Sequence, residues 1–164
     1  MRGWLLALGI CLAFALQTAV APLFSPFGLT PDLMLLMVIA IGLLKGPVMG
    51  MGFGLVGGLL FDCQAGGIIG VHALADMLIG FACGLMEKTI FKDNLFIPLL
   101  AAWFSTLVQE ILIGLILLAF RWRVLLLYTL WRYTIPLMFY HALLAPAVYY
   151  LIYRVERRLM LRNT

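Results

Sequence analysis

Five residues in this chain combine ionisable or amide chemistry with apolar surroundings: Asp62, His72, Asp76, Gln109 and Glu110. A charge at the centre of a membrane helix costs about 3 kcal/mol even on insertion scales, so each of them needs a reason. Asp76 follows His72 by four positions, which places both on one face of a helix. Asp62 stands just before the glycine turn that leads to that helix, within reach of the pair. An Asp–His–Asp cluster suits a proton relay or a metal site; it equally suits hydrogen bonding between helices. Glu110 lies deepest, in the middle of a long apolar run beside Gln109. Ser105 and Thr106 precede it by about one turn and are read as bonding back to backbone carbonyls.

Hydrolysis would need a nucleophile beside a base, and no serine or cysteine has that setting. There is no helical metal-binding motif, no paired cysteine motif and no phosphate-binding loop. Cys11, Cys63 and Cys83 fit neither a metal site nor a disulfide framework. The reading is therefore non-catalytic: the polar residues fix bundle geometry and touch a partner. No cofactor and no metal are expected.

The elements that must position these residues follow from composition. Of 164 residues, 65% are hydrophobic and 11% charged, with a mean hydropathy of +1.13. Soluble domains carry about 25% charged residues, so this chain cannot cover itself with a polar surface. It reads as one integral membrane bundle. The spans expected are 3–21, 31–44, 47–61, 71–86, 96–120 and 132–153, with a basic tail over 154–164. Five spans is the alternative, if the second and third form one re-entrant unit. The first run is read as a retained helix, because Pro22 after Ala19-Val20-Ala21 makes a poor cleavage context. Thr30-Pro31-Asp32 reads as the start of the second span, with Thr30 as cap. Lys45 is expected to snorkel from its other end.

Glycine recurs every fourth residue at Gly42, Gly46, Gly50, Gly54 and Gly58, with a second pair at Gly80 and Gly84. On helices these fall near one face and let two backbones approach closely. Gly66, Gly67 and Gly70 make the turn after Asp62 flexible.

Lys and Arg set the orientation. With the N-terminus inside, Arg2, Lys45, Lys88, Lys92, Arg154, Arg157, Arg158 and Arg162 lie on the inner side; Arg121, Arg123 and Arg132 lie outside. That bias puts both termini in the cytoplasm. Asp93 joins Lys88 and Lys92 on the inner face, and the C-terminal arginines suit an anionic leaflet. The net charge of +4 is thus a topology signal and gives no reason to invoke nucleic acid.

Five stretches stand out together: TPDLMLL from Thr30, KGPVMGMGFGLVGGLLFD from Lys45, AGGIIGVHAL from Ala65, FKDN from Phe91 with Pro98 following, and VQEIL around Glu110. In order and spacing they resemble the MreD family of bacterial rod-shape-determining proteins. Asp76, where an apolar residue is expected, and Glu87-Lys88 depart from the pattern. The resemblance implies a six-helix bundle similar to the substrate-binding membrane subunits of energy-coupling-factor vitamin transporters. It also implies an inner-membrane subunit of the elongation machinery that binds MreC. Through MreC it would link to MreB and to the wall-synthesising glycosyltransferase and transpeptidase. On this reading Asp62, Gly66, Gly67, Gly70 and His72 shape the outer face. The rival reading is a vitamin-capturing transporter subunit, which would use an outward pocket near Asp62, Gln64, His72, Trp122 and Tyr128.

Overall fold

A computed structural model describes residues 3–19, 29–88, 95–120, 128 and 130–161. Six α-helices make up nearly all of it: α1 (Gly3–Ala19), α2 (Leu33–Lys45), α3 (Pro47–Ala65), α4 (Val71–Leu85), α5 (Phe96–Ala119) and α6 (Ile135–Leu161). A π-helical turn, Leu130–Thr134, leads into α6. Among the described residues there is no strand. Among the described residues, three segments are long and apolar enough to cross a membrane: Pro47–Ala65, Phe96–Ala119 and Leu130–Arg158.

The helix ends differ from the expected ones in three places. α3 continues through Asp62 to Ala65, so Asp62 belongs to the last helical turn and not to the loop. α6 runs unbroken past Tyr153 to Leu161, which makes most of the basic tail helical. α2 is capped by Asp32, whose side chain accepts from Leu35 N–H, and Thr30 lies outside the helix. The carboxylate takes the role because it sits one residue before the first helical turn, where an acceptor meets the unpaired donors.

α2 is the hub. It packs against each of the other five helices, and ten of its thirteen residues are buried. Thirteen residues extend about 20 Å, short of a hydrocarbon core of about 30 Å. In lipid such a helix would end with unpaired backbone groups among acyl chains. Surrounded by protein, it can end at side chains that satisfy those groups. Leu35, Leu36, Ile39, Leu43 and Leu44 form the main apolar core with Ile79, Ala102 and Tyr149.

The most extensive pairing is α3 with α4. A Cβ added at Gly50 would lie 2.3 Å from the Gly80 carbonyl oxygen, and one at Gly80 would lie 2.2 Å from that of Gly50. A Cβ at Gly54 would meet Asp76 O at 2.3 Å, one at Gly58 would meet Ala73 Cα at 2.5 Å, and one at Gly84 would meet Pro47 Cα at 2.3 Å. Gly42 of α2 enters the same seam, 2.8 Å from Gly80 O by the same measure. The two glycine ladders thus face each other, and any side chain there would push the backbones apart. Gly46, expected on the same helical face, instead lies outside both helices and joins α2 to α3 at a φ of +88°, with Glu87 packed over it.

Candidate functional site

The polar residues gather where α2 begins, and backbone donors explain most of their positions. The first N–H groups of a helix lack intrahelical partners. At α2 three elements supply them. Asp32 N–H donates to His141 Nε2 of α6 at 2.8 Å. Leu33 N–H donates to Gln17 Oε1 of α1 at 2.7 Å, and Gln17 Nε2 donates to Pro31 O at 3.1 Å. Leu35 N–H donates to Asp32 Oδ1 at 2.9 Å.

These bonds determine the His141 tautomer. Nε2 accepts from a backbone N–H, so the ring proton is on Nδ1. Nδ1 lies 2.8 Å from Thr106 Oγ1, whose own proton goes to Ala102 O at 2.7 Å. Donor meets acceptor at each step, and His141 and Thr106 are both fully buried. Gln109, near the middle of α5, uses both hydrogens of Nε2 on carboxylates from two other helices. One goes to Asp76 Oδ1 of α4 at 2.8 Å, the other to Asp32 Oδ2 at 3.2 Å. Asp76 Oδ2 is buried and, among the described residues, has no hydrogen-bond partner. Polar groups from α1, α2, α4, α5 and α6 therefore converge on the start of α2.

Asp62 serves a second helix start. Its carboxylate, 2% exposed, accepts from Gly70 N at 2.8 Å, His72 N at 3.1 Å and Ala73 N at 3.2 Å. It also accepts from His72 Nδ1 at 2.7 Å. α4 has no capping side chain of its own, since Gly70 precedes it; Asp62 reaches over from α3 to supply one. Gly66 and Gly70 have φ of +68° and +103°, a region that favours glycine. Gly67 has neither a positive φ nor a neighbour within 4 Å of an added Cβ, so the structure gives no reason for glycine there. Phe61 packs against His72 with ring centroids 4.6 Å apart and the ring planes tilted by 48°.

The anticipated Asp–His–Asp cluster does not form as such. Asp62 holds His72, whereas Asp76 turns to α5 and bonds Gln109. Among the described residues no three His, Cys, Asp or Glu side chains are grouped to hold a metal ion. Glu110 stands apart from Asp76 and lines a recess of about 230 Å³ with Thr30, Asp32, Phe61, His72 and Gln109.

The opposite end of α2 is also tied. Lys45 Nζ pairs with Glu156 of α6, and both side chains are largely buried, at 16% and 9% exposed. This pairing replaces the expected snorkelling. Arg154, Arg157 and Arg158 are exposed around Glu156, and Lys88 is exposed after α4. Lys92, Asp93 and Arg162 lie outside the described residues.

Sequence reasoning missed Gln17, His141 and Glu156. A lone histidine in the apolar stretch Pro136–Tyr153 is itself a signal, because an imidazole inside a membrane helix requires a partner. No curated protein and no solved structure matches the chain. The family model described as rod shape-determining protein MreD matches residues 2–159. With that match spanning nearly its full length, this chain belongs to the MreD family and has a role in rod-shape determination.

Proposed function

We propose that this protein is a non-catalytic inner-membrane subunit of the bacterial elongation machinery. It binds MreC, and through MreC it is linked to MreB and to the glycosyltransferase and transpeptidase that build the wall. Both termini are cytoplasmic, which places the start of α2 and the Asp62 turn on the outer side. All six helices span the membrane as one bundle, the short ones supported by their neighbours.

The observation that carries this reading is where the bundle's polar groups are directed. Asp32, Asp62, His141 and Thr106 are engaged with helix ends or with each other, and that use is structural. A bundle so arranged offers partners its lipid-facing helix surfaces and its two rims. Membrane lipids cover the rest, and the exposed Arg154, Arg157 and Arg158 suit an anionic inner leaflet.

The vitamin-binding alternative fits less well. Ligand pockets for small molecules usually enclose about 300–1,000 Å³ and combine apolar walls with a few polar groups. The polar recess encloses about 230 Å³. The roomier cavity between α4 and α5, about 570 Å³, is walled almost wholly by apolar side chains such as Leu78, Ile97 and Phe104.

Affinity capture of the tagged chain from native membranes tests the proposal. MreC and wall synthases among the captured proteins are the expected result. Capture of a transporter ATPase in their place would overturn it.

A further inference from the structure

α4 is held to α3 and not to α5 at its C-terminal end. Gly80 faces Gly50, and Gly84 faces Pro47, with no side chain between the backbones. α5 is pinned to α4 near its own middle, where Gln109 Nε2 donates to Asp76 Oδ1 at 2.8 Å. From Leu78 and Val108, beside that pin, to Met86 and Ile97, a cleft of about 570 Å³ separates the two helices. Its floor is made of small side chains, Ala82, Cys83, Ala101 and Ser105. Cys83 Sγ and Ser105 Oγ are buried and bond each other at 3.6 Å, so the floor's polar groups are already engaged. Leu78, Met86, Leu100 and Phe104 stand exposed along the edges. Ile97 to Val108 measures about 16 Å of helix, the depth of one leaflet in a hydrocarbon core about 30 Å thick.

We propose that this cleft binds one acyl chain of an anionic phospholipid, with the headgroup phosphate beside Lys88. Lys88 is exposed just after α4, at the end of the cleft away from the pin. The neighbouring Glu87 packs over Gly46, at the junction of α2 and α3. α5 begins at the same end without a capping side chain, and the positive end of its dipole adds to the attraction for phosphate. Spread over about 16 Å, the volume gives a cross-section of about 35 Å². An extended hydrocarbon chain about 5 Å across takes roughly 20 Å², whereas a helix about 10 Å across takes roughly 80 Å². A partner's spanning helix would also need a seat through both leaflets, and this one stops at the bond between Asp76 and Gln109. That the leaflet is the cytoplasmic one rests on the orientation under Proposed function; the filling of the cleft by a lipid chain does not.

Photolabelling of the purified full chain in phosphatidylcholine nanodiscs tests this. The probe is a phosphatidylglycerol with a diazirine in mid-chain, and its adducts are mapped by peptide mass spectrometry. The exposed face of α3, with Val48, Leu55 and Leu59, is the internal reference. The expected result is labelling of the cleft that saturates with probe and is displaced by unlabelled phosphatidylglycerol, while labelling of α3 rises in proportion to probe. A phosphatidylcholine probe with the same chains labels the cleft about fivefold less, the effect of one basic residue beside an anionic headgroup, and Lys88→Gln brings the two probes level. Ala82 is itself exposed, so Ala82→Phe fills the cleft without entering the core, and it abolishes the cleft adducts with those on α3 unchanged. The proposal is overturned if cleft and α3 label alike, if the two probes label the cleft equally in the parent chain, or if Ala82→Phe leaves the cleft adducts in place. It is also overturned if the chain captured with MreC, or paired with a second copy, shows a protein cross-link in the cleft where the lipid adduct should be. Nanodiscs present the same lipid on both faces, so labelling of the isolated chain succeeds or fails independently of orientation and of MreC capture.

Discussion

Gly54→Ala adds one methyl group at the tightest kind of contact in this bundle. The new Cβ would lie 2.3 Å from Asp76 O and 2.6 Å from Asp76 C. Ordinary contacts begin near 3.4 Å, so α3 and α4 must part by about 1 Å. No side chain can rotate away, because the obstructing atoms are backbone. Overpacking of this kind costs about 1–3 kcal/mol. Gly52 provides the control. It is in the same helix, and nothing lies within 4 Å of its added Cβ. There Gly→Ala is governed by helix propensity, which favours alanine by up to about 1 kcal/mol. The two variants are therefore expected to differ in sign, with Gly54→Ala losing about 1–3 kcal/mol, equivalent to a melting temperature lower by roughly 2–12 °C. A thiol-reactive dye in a Cys11→Ser/Cys63→Ser background reads the transition, since Cys83 is the buried cysteine of the three. Equal melting temperatures for the two alanine variants would refute the backbone-contact argument. So would a more stable Gly54→Ala protein.

Three further substitutions probe the polar clamps. Asp62→Asn keeps one acceptor oxygen where four donors now meet two. It should cost about 1–2 kcal/mol and speed hydrogen exchange at the Gly70, His72 and Ala73 amides. Thr106→Val removes the acceptor for His141 Nδ1–H and should cost about 1–3 kcal/mol in thermal unfolding, while Thr106→Ser stays close to the parent. Lys45→Met and Glu156→Leu should each cost about 3 kcal/mol by leaving a largely buried charge alone, and the double variant should lose less than the sum. A double-mutant cycle measures that coupling, and strict additivity would count against the pair.

What the sequence made legible is what depends on short-range spacing. The glycine ladders were readable because close backbone approach requires the absence of a side chain, and that absence recurs at helical period. Asp62 was legible as a carboxylate beside a glycine turn, but not as the cap of α4, because its donors on Gly70, His72 and Ala73 come from the far side of that turn. The clamps at the ends of α2 were not legible either. Asp32 and His141 are 109 positions apart, and Lys45 and Glu156 are 111 apart. No periodicity within one helix encodes such a pairing. The short length of α2 suggested strain or re-entry, because a lone helix of thirteen residues cannot satisfy its ends in lipid. Its central position becomes apparent only when five other helices are placed around it.

That position limits what the bundle can do mechanically. Sliding α2 along its axis would break Leu33 N–H from Gln17, Asp32 N–H from His141, Asp32 from Gln109 and Lys45 from Glu156 together. At about 1–3 kcal/mol for each buried interaction, the loss is on the order of 4–12 kcal/mol. The whole stability of a domain is about 5–15 kcal/mol. A shift of α2 therefore costs nearly as much as unfolding, and the glycine seam ties α3 and α4 to it without side chains that could change rotamer. Docking at either rim has no inexpensive motion of α2 to drive. The geometry accordingly favours a rigid bundle over one that switches by moving α2, in keeping with the scaffold role proposed above.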